Sequence, residues 1–255
     1  MQQNQFMERL QAQFAQEERI DRGVLYAFCT EFEPDLREST FAWRVHALKE
    51  KGLLNAVGRG AYTLRVKPVF RPVLDQRLAH LARRIRKAFP ELVFCIWSTE
   101  WLNGFMQHQA GKHLVVVDVE PSALETVFYF LQDERIRSVF LDPDAEVVER
   151  YLFHQTSAVA VRPLVSKAPL ERRGRLVVPA SEKILVDLFT DRMLFAFAQG
   201  AELHHIYRSW YEQHGFNRTT LLAYARRRGK YAALQDFLES LRLGEKELAP
   251  EFNPK

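Results

Sequence analysis

Between residues 92 and 161, strand-sized apolar runs alternate with stretches patterned as helices. The runs occupy 92–97, 114–119, 139–141 and 158–161, and helical periodicity fills 100–107, 121–132 and 144–153. This alternation predicts an α/β layer architecture, because apolar strands of this kind need helices to cover them. Residues 176–178 read as one more strand. From Ser181 onward the period is only helical, over 181–189, 193–214, 217–228 and 231–241. Asn217 suits a helix N-cap, and Gly215 and Gly229 suit helix stops. The tail after Glu245, with Pro250 and Pro254, reads as frayed.

The first 64 residues carry a different pattern. Phe6, Leu10 and Phe14 recur at i, i+4 and i+8 and predict an amphipathic helix within 1–18. Asp21 is placed to cap a second helix, with Val24, Leu25, Phe28 and Phe32 on one side and Pro34 ending it. Ser39 or Thr40 would cap a third, which runs to Lys51 and breaks at Gly52. Two short apolar runs then flank Gly58-Arg59-Gly60 and predict a two-stranded hairpin. Three helices followed by a hairpin is the order of a winged helix-turn-helix, expected over 1–68. A linker through Lys67-Pro68 and Arg71-Pro72 leads to an Arg-rich amphipathic helix over 75–88, ended by Pro90. The α/β domain is expected over 69–255, with its helical part from about 181.

The third helix divides as a DNA-recognition helix must. Phe41, Val45 and Leu48 share one face. Ser39, Trp43, His46 and Glu50 lie opposite, flanked by Thr40, Arg44 and Lys49. Arg59, between two glycines at the hairpin tip, suits a phosphate or minor-groove contact. The DNA-binding set is therefore Ser39, Thr40, Trp43, Arg44, His46, Lys49 and Arg59. The alternative is an adaptor whose wing binds only protein, since this module is close to charge-neutral. Trp43 serves either reading, facing DNA or packing on the second domain.

Composition narrows the partners. A 47% hydrophobic and 27% charged chain has the means to bury a core. A formal charge of +4 and a pI near 9.1 permit a nucleic-acid partner without demanding one. No apolar run approaches the roughly 18 residues of a membrane span, and the N-terminus has neither the basic nor the apolar region of a signal peptide. Cys29 and Cys95 sit in apolar runs away from any metal-ligand spacing, and read as free thiols of a reducing compartment. The expectation is a cytoplasmic protein with no metal or cofactor.

The middle of the chain also invites a test for nucleotidyltransferase chemistry. Residues 95–99 end a strand, a helix follows, and the next strand closes on Asp118-Val119-Glu120, two carboxylates that alternation points the same way. Asp142 could be a third. Trp97, however, stands where a phosphate-approaching glycine is needed. The expectation is a non-enzyme, with a transferase using Asp118 and Glu120 as the alternative. The basic runs Arg83-Arg84, Arg86-Lys87 and Arg226 to Arg228 with Lys230 would suit phosphates.

Ser39-Thr40, Trp43-Arg44, Leu48-Lys49, Lys51-Gly52-Leu53, the run from Val57 to Gly60, and Tyr62-Thr63-Leu64 together resemble the N-terminal winged helix of AbiEi-type antitoxins. These belong to type IV toxin–antitoxin and abortive-infection (phage defence) systems. The run from Glu182 to Phe189, Gln199-Gly200 with Glu202-Leu203, and Asn217 with Leu221-Leu222, Tyr224-Ala225 and Arg227-Arg228-Gly229 are similar to that family's helical end. The resemblance implies a DNA-binding repressor of its own operon. Its functional partner would be a nucleotidyltransferase-like toxin with which it forms no stable complex.

Overall fold

Phe6, Leu10 and Phe14 line one side of α1 (Gln2–Phe14) and form the first half of an aromatic core. The rings of Phe6 and Phe14 meet Phe28 of α2 (Arg22–Phe32) at 5.6 and 5.3 Å, and Phe6 also meets Phe32 edge-on. A two-residue strand that periodicity cannot reveal, β1 (Ile20–Asp21), precedes α2. Asp21 occupies the N-cap position, but its carboxylate makes no capping bond and accepts instead from Arg19. Val24, expected on the apolar side, faces outward. In α3 (Glu38–Glu50), Phe41, Val45 and Leu48 are buried. The helix begins one residue before the expected caps, so Ser39 and Thr40 lie in its first turn. Glu38 starts it instead, an acid favoured at a helix N-terminus and held by Arg22.

The hairpin follows as β2 (Asn55–Gly58) and β3 (Ala61–Thr63), and β1 joins it in a three-stranded antiparallel sheet of order β1-β3-β2. A register slip between Ala56 and Gly58 and a left-handed Gly60 (φ 68°) make the turn. The Gly60 carbonyl accepts from the Arg22 amide at 2.7 Å, tying the hairpin to the start of α2.

The computed structural model describes residues 2–50, 53–64, 68–136, 138–155 and 157–243. The helix stop expected at Gly52, Lys67 of the linker and the tail after Glu245 lie outside the described residues, as does the side chain of Glu50.

Further along, α4 (Gln76–Ala88) is capped by Asp75, whose carboxylate accepts from the Leu78 amide at 2.6 Å. The four expected runs become β4 (Phe94–Ser98), β5 (His113–Val119), β6 (Val139–Leu141) and β7 (Ser157–Pro163). They form one sheet of order β4-β5-β7-β6, antiparallel between β4 and β5 and parallel elsewhere. Helices α5 (Leu124–Asp133) and α6 (Ala145–Arg150) make the crossovers, as parallel pairing requires. The helix expected over 100–107 is a tight 3-10 segment, Thr99–Phe105, whose entry is fixed by Ser98 accepting from the Glu100 amide.

The expected strand at 176–178 is β9 (Leu176–Pro179), and it pairs with β8 (Leu170–Arg173) around Gly174. The charged run of β8 gave no apolar signal. Helix α7 (Ser181–Thr190) follows. The single helix expected over 193–214 is instead α8 (Ala201–Gln213), because Gly200 takes φ 64° and interrupts the pattern. Helices α9 (Arg218–Arg227) and α10 (Tyr231–Ser240) end the described chain.

The fold class is α/β, as expected. The chain divides into two compact units, one of residues 1–68 with 217–219 and 237–255, the other of 69–216 with 220–236. No described helix is long and apolar enough to cross a membrane.

Candidate nucleic-acid interface and buried charge cluster

The outward face of α3 carries Ser39, Thr40, Trp43, His46 and Lys49, all exposed. Trp43 is 72% exposed, so its indole packs on very little of the first unit. Arg59 is exposed at the hairpin turn. Arg44 behaves differently. Its guanidinium donates to Glu33 at 2.6 Å and lies 5.7 Å from the centre of the Phe6 ring, so it braces α3 against α1 and α2. Two other contacts set the angle of α3. Tyr26 donates to the Leu36 carbonyl at 2.6 Å and abuts Phe41, and Arg22 makes a two-point bond to Glu38 over the same ring. The hydrogen bonds from Arg22 hold the Glu38 carboxyl below its usual range.

The second unit holds a cluster that sequence reading missed. Pairing in the sheet sets Cys95, Asp118 and Arg162 side by side across β4, β5 and β7. Helix α7 adds Lys183 and Asp187, one turn apart. Asp118 accepts from Arg162 at 2.9 and 3.0 Å and from Lys183 at 2.6 Å. Asp187 accepts from Lys183 at 2.6 Å and from Arg162, Arg228 and the Tyr224 hydroxyl at 3.1 Å each. Asp191 closes the ring, taking Arg162 at 2.7 Å and Arg228. Asp118, Lys183 and Asp187 are at most 1% exposed.

Three carboxylates face three cations, so the cluster is electrically balanced. Burial alone would push Asp118 up, but Arg162 and Lys183 overcome it and hold the carboxyl at about 2. Burial alone would likewise lower Lys183, and Asp118 with Asp187 instead hold it well above its usual value. Burial pushes the Cys95 thiol and the Tyr224 hydroxyl up. The sequence did carry one signal for this cluster. Residues 184–186 and 188–189 are all apolar, so Lys183 and Asp187, at i, i+4, make a narrow charged stripe on an otherwise apolar helix. Such a helix is buried, and opposite charges inside it must pair.

These contacts change the reading of the possible transferase residues. The sequence offered Asp118 no basic partner, yet Arg162 and Lys183 occupy it from 44 and 65 residues away. Glu120 is half-buried beyond the end of β5, its amide donating to the Val93 carbonyl, while Asp142 is exposed on a left-handed backbone (φ 35°). Trp97 is fully buried against Trp101 and Phe195, so its indole fills the core where a triphosphate would need open backbone.

The basic runs are also partly withdrawn. Arg84 pairs with Glu134, and Arg86 donates to the carbonyls of Pro90 and Leu92. Arg226 lies over Tyr231, and Arg228 belongs to the buried cluster.

A family model described as a family of unknown function (DUF6577) matches residues 40–243, four-fifths of the chain, and the chain belongs to that family. No curated protein matches it.

Proposed function

We propose that this protein is a cytoplasmic, DNA-binding transcriptional repressor. Its first unit is a winged helix-turn-helix, with α3 in the major groove of its own operator and Arg59 on the adjacent backbone. One observation carries the reading. A short helix seated by Phe41, Val45 and Leu48 presents Ser39, Thr40, Trp43, His46 and Lys49 outward in one strip, with a large indole among them. Burying that indole against base edges would recover apolar area otherwise left in water. The contacts of Arg44 make it a positioning residue that orients α3, leaving base reading to the other side chains of the strip.

The resemblance to AbiEi-type antitoxins extends the proposal. The repressor would counter a nucleotidyltransferase-like toxin encoded with it, without forming a stable complex. We further propose that the chain itself transfers no phosphoryl group, because the oxygens of Asp118 are taken up by Arg162 and Lys183.

Fluorescence anisotropy with the DNA upstream of its own gene is the direct test. The full chain should bind that duplex at least tenfold more tightly than a scrambled one of equal length, and Trp43→Ala or Lys49→Ala should weaken it. Equal affinity for both duplexes would remove the repressor reading. Retention of a cellular protein by an α3-dependent contact, with no DNA binding, would favour the adaptor.

A further inference from the structure

Away from the charge cluster, the second unit holds a cavity of about 390 Å³, a size that suits a small organic molecule. It opens where β4 ends and β5 and β7 begin. Leu152, Ala158 and Phe197 supply much of an apolar wall, and Thr99, Lys112 and His113 supply polar groups. The described residues lining it include no Asp or Glu. Two of the polar groups have unused capacity. The Nδ1 atom of His113 is buried with no hydrogen-bond partner among the described residues. The Thr99 oxygen accepts from the Leu114 amide at 2.9 Å, leaving its own proton to donate. A buried ring nitrogen without a partner is costly, and a ligand that meets it would recover that cost.

We propose that this cavity binds a small amphiphilic monocarboxylate. Its aliphatic or aryl body would lie against Leu152, Ala158 and Phe197. Its carboxylate would accept from Thr99 and from His113 as the Nδ1–H form, under the positive charge of Lys112. The lining selects the charge of the ligand. A cation would meet a lysine and no carboxylate, and a neutral molecule would forgo the charge-assisted bonds. The site is independent of the DNA-binding reading and engages no member of the Asp118 cluster.

Calorimetric titration of the full chain tests this with octanoate and 4-phenylbutyrate as probes and octanol and octylamine as controls. At least one carboxylate should bind about tenfold more tightly than octanol, the equivalent of one charge-assisted bond. Which of the two is preferred distinguishes a fatty from an aryl ligand. Lys112→Glu changes an exposed side chain, so the chain should remain folded, and the carboxylate affinity should fall about tenfold while octanol binding is unchanged. Ala158→Leu fills the cavity and should abolish binding of both. Absence of heat from both carboxylates, octylamine binding as tightly as octanoate, or an unchanged carboxylate affinity in Lys112→Glu would each overturn the proposal.

Discussion

Replacing Lys183 by Met gives the sharpest measure of what the buried cluster does. The ammonium is 1% exposed and sits 2.6 Å from both Asp118 and Asp187, so its loss leaves three carboxylates facing two guanidinium groups. Methionine keeps most of the volume of the lysine stem, so little of the effect should come from a cavity. Removing one partner of a buried pair costs about 3–5 kcal/mol, because the remaining charge stays desolvated. The double variant Lys183→Met/Asp118→Asn restores the balance at two charges of each sign. It should recover about 1–3 kcal/mol relative to the sum of the single changes, as expected for residues in direct contact. Urea unfolding followed by tryptophan emission is a suitable assay. Trp97 and Trp210 are fully buried in this unit and should shift on unfolding, whereas the exposed Trp43 should change little. A Lys183→Met unfolding free energy within about 1 kcal/mol of the unaltered protein, or strict additivity in the double variant, would refute the claim that charge balance stabilises this unit.

Asp118 predicts the behaviour in acid. Its folded value of about 2 lies below the ordinary 3.8, so the stabilisation is complete above about pH 4 and is lost as pH falls toward 2. The difference corresponds to about 2 kcal/mol, and Asp118→Asn should flatten the stability profile measured by urea unfolding between those limits. Arg44→Ala should lower the melting stability of the first unit by about 1 kcal/mol or less, since its ion pair with Glu33 is half-exposed. Any loss of DNA affinity in Arg44→Ala should then be smaller than in Lys49→Ala, and the opposite ranking in anisotropy would return Arg44 to the reading surface. In cells expressing the toxin proposed to be encoded beside it, Lys49→Ala with Arg59→Ala should relieve the proposed repression yet preserve the proposed protection. Loss of both functions in a folded variant would show that they are not separable.

What the sequence made legible was local. The Arg-rich helix that became α4, the apolar runs of the sheet and the hairpin around Gly58 and Gly60 each depend on neighbours within a few residues. The charge cluster depends instead on strand register and on segments far apart in the chain. Arg162 ends an apolar run and reads as an exposed strand end, and Arg228 reads as one member of a basic tract. Neither position reveals that both turn inward on Asp187. The α8 boundary failed for a different reason. Apolar spacing continues through 193–199, but backbone geometry at Gly200 overrides it. On the outward face of α3 the sequence separated exposed from buried positions, and only Arg44 changed character. Its partner Glu33 lies in the α2–α3 connection, where no periodicity signals the contact.

The same redistribution of charge bears on how strongly salt should weaken the proposed DNA binding. The six charges of the cluster cancel, so the formal +4 of the chain belongs to the residues outside it. Within the second unit, Arg84, Arg86 and Arg228 are committed to Glu134, to backbone carbonyls and to Asp187 with Asp191. The tracts that looked like phosphate-binding patches are therefore thinned to scattered cations. On the first unit, Lys49 and Arg59 are the outward cations of the proposed reading surface. Two phosphate contacts per protomer predict a slope of about −2 in a plot of log affinity against log salt, from about 0.9 per neutralised phosphate. The indole of Trp43 would supply binding that salt does not screen, so Trp43→Ala should lower affinity at every salt concentration and leave the slope unchanged. Arg59→Ala should instead make the slope shallower by about one unit. A slope near −6 per protomer, or one that Arg59→Ala leaves untouched, would show that the phosphate contacts come from the second unit and that the strip on α3 is not the main electrostatic footprint.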